Sequence, residues 1–367
     1  MKVTITPSDI VTLACLRPPS GDARLAREFK TLISEAETQL LAPTAGDLLT
    51  GLAMRLGIEP AVHGEAIEMA RHVAAQALDR AARVGLSALP FNDPGYPPWL
   101  WQIADPPPVL WVKGNAPDAH RPTVAVVGSR TATPAGLALA RQLGEGLAEA
   151  GVMVVSGLAR GVDGSSHEGA LSVGGTTIGV LGCGADVVYP AEHRDLTDRV
   201  AASGGVVSEL PPGTTPQAHY FPLRNRIISG LSRAVVVIEA GERSGSLITA
   251  RMALEQGREV LAVPGNVLSG RSRGCHALIK DGARLVETVS DVLDELGWVR
   301  PDNSEAVETA KSNEMSVLAS RMAVGDVYDV DGLAILTGWA TGQLLAELAS
   351  LEIVGRVARV AGGWVRR

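Results

Sequence analysis

Three stretches of this 367-residue chain set glycine, serine and arginine just beyond an apolar run. VAVVGSRTATP carries Gly128, Ser129 and Arg130, and VVSGLARGVDGSSH carries Ser156, Gly157, Arg160, Gly161 and Asp163. IEAGERSGSLITARMALEQG carries Ser244, Gly245 and Ser246. Glycine lets a backbone approach an oxyanion, a helix N-terminus turns free N–H groups toward it, and an arginine fork adds paired hydrogen bonds to phosphate. One such loop could be only a tight turn. Two in succession, each with an arginine beyond its strand, point to a phosphate site. In the third, capping of the next helix by Ser244 explains the serines as well as ligand contact does. A fourth stretch, AHYFPLRNRIISGLS, sets Tyr220 and Phe221 before Pro222 and puts Arg224, Asn225 and Arg226 at the start of a helix. An aromatic face beside cationic forks suits single-stranded nucleic acid. Bases stack on the ring for roughly 1–3 kcal/mol each while arginines follow the backbone. Phe221 and Tyr220 could instead be core residues.

Other chemistries find less support. No GxGxxG opens the first strand–helix turn, the GCG of VLGCGADVVYP is too short for a dinucleotide fingerprint, and no Walker loop is present. His167, His193, His219 and His276 lie in separate segments without metal-ligand spacing. Ser156 and Asp163 could be cast in a triad, but no Gly-x-Ser-x-Gly elbow supports one. Asp163 is expected to orient Arg160 or to cap the helix that follows. No cofactor, metal or catalytic set is expected.

The elements that must hold these loops are legible from their periodicity. VAVV, VMVVS, TTIGVL, GVVSE, AVVVIEA and EVLAV are short apolar runs suited to a parallel sheet buried on both faces. PAGLALARQLGEGLAEAG, GVDGSSHEGALSVG, AEHRDLTDRVAASG, RNRIISGLS and GSLITARMALEQG lie between them with helical spacing. The alternation predicts an α/β domain with a doubly wound parallel sheet over residues 87–298, with ligands beyond the carboxyl ends of the strands.

Residues 1–86 read as helical. The clearest helix starts near Glu65 and carries Ile67, Ala70, Ala74, Ala77 and Ala81 on one face, with Gly85 as its C-cap. The proline-rich FNDPGYPPWLWQIADPPPVLWVKGN predicts an extended strap with no helix, its aromatics packed on a neighbouring core. Polar residues 299–313 read as a linker. Residues 314–367 read as a winged helix: VDGLAILTG and ATGQLLAELASLEIVG as helices, RVARVAGGWVRR as a hairpin.

Composition bounds the class. The chain is 46% hydrophobic and 20% charged, which is ordinary for a soluble globular protein. Cys15, Cys183 and Cys275 form no CxxC pair, so a reducing cytoplasm is expected. The opening MKVTITPSDI lacks an apolar signal core, and no apolar run approaches the ~20 residues of a membrane span, so neither export nor a membrane partner is expected. The net charge of −7 opposes nucleic acid only weakly. Residues 121–298 hold 16 Lys/Arg against 18 Asp/Glu, and polyanion binding follows the local patch.

YPPWLWQIADPPPVLWVKG, VAVVGSR, SGLARGVDGSSHEGAL, GVLGCGADVVYPAEHRDL, SELPPG, FPLRNRIISGLS, EAGERSGSLITARMALEQGREVLAVPG and LIKDGA follow one another across residues 91–290. In these strings the chain resembles the DprA (Smf) family of DNA-processing proteins. The resemblance implies an extended Rossmann-like core that binds single-stranded DNA without sequence preference and forms a homodimer. It also implies loading of the recombinase RecA onto incoming strands in natural transformation. Gly128, Ser129, Arg130, Phe221, Asn225 and Arg226 would be DNA-contacting positions. A SAM-like helical N-terminal domain and a C-terminal winged helix are implied too. Two departures stand out. The family's lysine three residues before the phenylalanine is Ala218 here, between Gln217 and His219. Gly274-Cys275-His276 replaces a Gly-Thr-Asn, which puts any contact from that loop in doubt.

Two other functions compete. The superfold also hosts nucleoside-monophosphate phosphoribohydrolases, but their PGGxGTxxE is replaced by EAGERSGSLITA. A winged-helix transcription regulator would need a basic groove-reading helix, and ATGQLLAELASLEIVG holds no Lys or Arg. Only the wing is basic, with Arg356, Arg359, Arg366 and Arg367.

Overall fold

Strands apolar on both faces must be covered by helices on both sides. The computed structural model of the chain places them so. It describes residues 5–16, 25–38, 43–118, 120–298, 317–323, 325–353, 356–360 and 362–366. Nine strands form the main sheet: β1 (Leu86–Pro90), β2 (Val109–Gly114), β3 (Thr123–Gly128), β4 (Met153–Ser156), β5 (Thr177–Val180), β6 (Gly205–Ser208), β7 (Ala234–Ile238), β8 (Glu259–Ala262) and β9 (Arg284–Leu285). Their order is β1-β2-β6-β5-β4-β3-β7-β8-β9. β3 to β9 are parallel, and β2 and β1 extend one edge antiparallel. The chain thus winds outward from β3 to β6, crosses back, and continues from β7 on the other side of β3. The switch point lies between β3 and β7, paired from Val124↔Ala234 to Gly128↔Ile238. This is the extended Rossmann-like arrangement that the strand–helix alternation predicts.

Alternate residues of each strand serve opposite cores. Ala125, Val127, Val235 and Val237 face α9 (Tyr220–Gly230) and α10 (Gly245–Glu255) through Ile227, Ile228, Ala250 and Ala253. Val124, Val126, Val154 and Val236 face α6 (Pro134–Glu149) and α7 (Val162–Ser172) through Leu143, Leu147, Val162 and Ala170. The last two helices pack backbone to backbone. A Cβ at Gly144 would strike the Ser166 carbonyl, and one at Gly169 the Arg141 carbonyl.

Four helices precede the sheet: α1 (Pro7–Cys15), α2 (Leu25–Thr38), α3 (Ala45–Arg55) and α4 (His63–Arg83). The alanine stripe of α4 is buried as expected, at Ala70, Ala74, Ala77 and Ala81, and Gly85 follows in the left-handed conformation. These helices share a core with Val109 and Trp111 of β2. Arg80 of α4 also reaches Asp186 at 2.9 Å. The proline-rich segment corrects the expectation of a helix-free strap. Pro98 opens a short helix, α5 (Pro98–Gln102), at the position proline tolerates. Its aromatics do pack on a neighbouring core: Phe91 and Trp101 stack at 4.7 Å, and Phe29 of α2 meets Phe91 edge-on at 5.1 Å. β9 was not foreseen, because two exposed residues carry no periodicity.

The C-terminal unit is the expected winged helix. Helices over Val330–Thr337 and Thr341–Ile353 pack with a sheet ordered β10 (Val327–Tyr328), β12 (Gly363–Arg366), β11 (Val357–Val360). Leu344, Leu348 and Leu351, at helical spacing, are buried in the unit's core, and Leu345 is exposed. The expected linker, 299–313, lies outside the described residues. Among those described, no helix is long and apolar enough to cross a membrane.

One buried histidine makes the fold sensitive to pH. His167 of α7 lies 2.7 Å from the Thr177 hydroxyl, which donates its own proton to the Val154 carbonyl at 2.8 Å. His167 Nδ1 must therefore donate, leaving Nε2 buried without a partner. Burial, aided by the charges of His193 and Arg224, lowers its pKa from 6.5 to about 3. The unfolded chain takes up this proton first. The contribution is therefore complete above about pH 6.5 and is lost as pH falls toward 3, at up to about 1.4 kcal/mol per unit. Urea midpoints should be lower at pH 5 than at pH 7.5, and His167→Asn, which keeps the donor, should narrow that gap.

Candidate nucleic-acid interface

At the switch point the carboxyl ends of β3 and β7 open into a cleft of about 740 Å³. Its lining includes Gly128, Ser129, Arg130, Phe221, Arg224, Asn225, Ser244, Gly245 and Ser246, all expected at the site. Gly128 closes β3 against β7 so tightly that a Cβ there would strike the Ile238 carbonyl and Val162. Ser129 then donates its N–H to the Ile238 carbonyl at 3.3 Å and accepts from Thr131 N through its hydroxyl at 3.1 Å. The hydroxyl proton stays free for a ligand oxygen. Arg130 is exposed at the lip, its guanidinium carbon 5.6 Å from the centre of the Phe221 ring.

Phe221 stands in the first turn of α9, half-buried and so no core residue. Tyr189 lies 5.3 Å from it, tilted by 38°. Two rings and a guanidinium thus form one platform beside the loops. Asn225, one helical turn beyond Phe221, shares its face. Its side-chain amide donates to the Gly245 carbonyl at 3.3 Å, tying α9 to the start of α10. There Ser244 caps the helix by accepting from Ser246 N at 3.3 Å, and the two hydroxyls meet at 2.7 Å. The serines are therefore capping groups that also line the cleft.

Three expected contacts need correction. Arg224 is buried under the cleft floor, donating to the carbonyls of Gly157, at 2.8 Å, and Val180. Burial lowers its pKa to about 10, which leaves it cationic at neutral pH. It supplies a fixed positive charge to the floor, not a fork on the rim. Arg226 sits about 500° along the helix from Phe221, at 100° per residue, and so faces inward. Its Nε donates to Asp105 at 3.1 Å and its terminal nitrogen to Glu209 at 2.6 Å. Arg160 is exposed and paired with Glu192; it lies outside the main cleft but lines the adjoining hollow with Arg130, Tyr189 and Phe221. Asp163 does not orient Arg160; it accepts from Gly157 N at 3.1 Å and Ala159 N at 3.4 Å, fixing the loop beneath. Burial raises its pKa, opposed by the nearby Arg224 charge. Ser156 donates to the Val126 carbonyl at 2.6 Å, so Ser156 and Asp163 both serve the backbone and form no triad.

Sequence reasoning missed Tyr189 and Arg243. Arg243 lies exposed at the mouth, on the cleft wall shared with Ala218. It puts a cation on the cleft that Ala218 cannot supply. Its signal was in plain view, as the arginine of a Gly/Ser loop after a strand. Tyr189 gave none, because the turn that brings it to Phe221 belongs to a different loop. Gly274-Cys275-His276 lies in the helix Arg273–Lys280, not in a loop, and does not line the cleft. Gly274 N donates to the Ala240 carbonyl at 2.8 Å and Cys275 is fully buried, so no cleft contact hangs on that departure.

The N-terminus of α6 also opens at the switch point. Glu239, at the end of β7 with φ 52°, accepts from Thr133 N at 2.8 Å and from the Thr133 hydroxyl at 3.0 Å. In the winged helix, Arg359 stacks on Trp364 at 5.8 Å and Arg366 donates to the Met322 carbonyl at 3.1 Å, so two of the wing arginines are engaged; Arg367 lies outside the described residues. Among the described residues no cluster of three His, Cys, Asp or Glu could hold a metal ion.

Arg226→Ala should therefore cost stability first, since it strands two half-buried carboxylates. A loss of about 3 kcal/mol is expected, the low end for a broken buried pair because its partners keep some water. Chemical denaturation reads this directly, and an unchanged midpoint would return Arg226 to the binding surface.

Comparison with known proteins places the chain. The family described as DNA recombination-mediator protein A matches residues 87–297, and the DprA winged helix domain matches 305–363. Protein Smf of Escherichia coli K12 is 42% identical over 286 residues, 76% of each chain. DNA processing protein DprA of Streptococcus pneumoniae is 48% identical over 199 residues, 54% of this chain and 70% of that one. The X-ray structure of the Streptococcus pneumoniae DprA aligns with TM-score 0.69 and 38% identity, covering 80% of this chain and 99% of that one. A Helicobacter pylori DprA structure, solved to explain how that protein binds single-stranded DNA, aligns with TM-score 0.51 and 28% identity over 57% of this chain and 95% of that one. By sequence and by fold, the chain belongs to the DprA (Smf) family of DNA recombination-mediator proteins.

Proposed function

We propose that the chain binds single-stranded DNA in the switch-point cleft, without reading its sequence. The observation that carries this is the platform of Tyr189, Phe221 and Arg130 set beside the Gly/Ser loops after β3 and β7. Bases can stack on a ring whatever their identity, because every base has a π-face. Arg130 and Arg243 at the lip and the free proton of Ser129 meet the phosphodiester backbone, over a floor made positive by the buried Arg224. The Helicobacter pylori relative, described for its single-stranded DNA binding, supports single strands as the ligand. Duplex DNA keeps its bases stacked inside and offers the rings nothing, so it binds more weakly.

Family membership extends the proposal. The chain acts as a homodimer in the cytoplasm, protects incoming strands and loads RecA on them during natural transformation; it is a binding protein and not an enzyme. Residues 87–298 carry the DNA site, between a helical unit over 1–86 and a winged helix over 314–367 that is accessory. Faster RecA filament growth on strands precoated with single-strand binding protein tests the loading step.

Anisotropy titrations with labelled oligonucleotides test the site. Affinity should fall steeply with salt, with single strands preferred over duplex. Arg130→Ala should weaken binding by about 1.5–3 kcal/mol, roughly ten- to hundredfold, and lower the salt slope while leaving the unfolding midpoint in place. Replacing Arg356 and Arg359 together should change affinity less than about threefold, as exposed charges outside the site do. Equal affinity for duplex and single strands would sink the proposal, and a larger loss from the wing pair than from Arg130 would move the site to the winged helix.

A further inference from the structure

In doubly wound sheets the pyrophosphate of a nucleotide sits at the switch point on a helix N-terminus, drawn by free N–H groups and the positive end of the dipole. In this chain the corresponding helix is α6, sixteen residues long, and its N-terminus is already engaged. One carboxylate oxygen of Glu239 accepts from both the backbone N–H and the hydroxyl of Thr133, its N-cap residue. Thr133 in turn caps Gly136 N at 3.1 Å. The carboxylate lies so close to the first turn that a Cβ on Gly136 would collide with it. The other oxygen is buried with no hydrogen-bond partner, and Arg271, the cation recorded nearest to it, stands 3.8 Å away. Glu239 reaches this place only by adopting φ 52°, a conformation side-chain-bearing residues seldom take. A strained, buried acid held where a ligand anion belongs is a costly arrangement. It needs a compensating role.

We infer that Glu239 is a specificity-determining residue: its carboxylate occupies the pyrophosphate subsite of the switch point and closes it to nucleotides. Mononucleotides and pyrophosphate would have to displace a carboxylate that already holds the Thr133 donors and pairs with Arg271 at 3.8 Å. A DNA strand does not meet this barrier. Its phosphates carry one charge each, and the cleft proposed to hold them, with Arg130 and Arg243, is not lined by Glu239. The inference thus rests on the single-strand reading and states how a nucleotide-binding fold excludes nucleotides.

Inorganic pyrophosphate, titrated calorimetrically into the full-length chain at low ionic strength, tests it. Glu239→Gly removes the carboxylate and suits the backbone, since glycine adopts positive φ without strain. Glu239→Gln keeps the shape and removes only the charge. The Gly variant should bind pyrophosphate at least about tenfold more tightly than the unaltered chain, and the Gln variant about threefold, in line with losing one close like charge. ADP should follow the same order. If either folded variant binds pyrophosphate no more tightly than the unaltered chain, the inference is overturned. Single-strand titration of the unaltered chain judges the function by itself, so the two failures are separable.

Discussion

Two parallel strands, β3 and β7, end level with each other, and the carbonyl of Ile238 lies against the α-carbon of Gly128. No side chain larger than hydrogen fits between them. That close approach fixes where the backbone of β3 must turn, and hence where Ser129 and Arg130 emerge. It brings the loop after β7, with Arg243 and Ser244, to the opposite wall of the same cleft. Were the strands farther apart, the two anion-seeking loops would be separate turns on a surface.

α9 then sorts its polar residues by phase alone. Phe221 and Asn225 look into the cleft, Arg224 points down through its floor, and Arg226 turns inward to two carboxylates. Only the first pair can touch a ligand directly. Arg224 lies too deep for contact, yet its charge is felt in the cleft through a medium of low polarizability, where fields fall off slowly. An acidic protein can hold a polyanion in this way: the net charge of −7 belongs to the whole surface and the field in the cleft to a few arginines.

Much of this could be read from residue order. The β-branched runs fixed the sheet, the alanine stripe fixed α4, and the Gly-Ser-Arg loops named most of the cleft lining. The failures share a cause. FPLRNR shows three polar residues in a row, but which face each takes depends on where α9 begins, and helix starts are blurred by a proline that can sit in the first turn. Burial of Arg224 and Arg226 was invisible because their partners, Val180, Asp105 and Glu209, are distant in sequence. Tyr189 likewise reaches Phe221 from a loop 32 residues away. Local spacing names the groups that can act, and tertiary contact decides which of them do.

The glycine seam between α6 and α7 has a mechanical consequence. With Gly144 against the Ser166 carbonyl and Gly169 against the Arg141 carbonyl, neither helix can slide or roll without lifting backbone off backbone. The loops at their N-termini, one carrying Arg130 and the other Arg160, are therefore held by one rigid pair of helices. On the opposite side α9 and α10 share a buried core and are tied by two side-chain amides, Asn225 to the Gly245 carbonyl at 3.3 Å and Gln256 to the Arg226 carbonyl at 3.1 Å. Loops held in place from both sides before any ligand arrives have little freedom left to lose, so the ordering cost of binding there falls on few side chains.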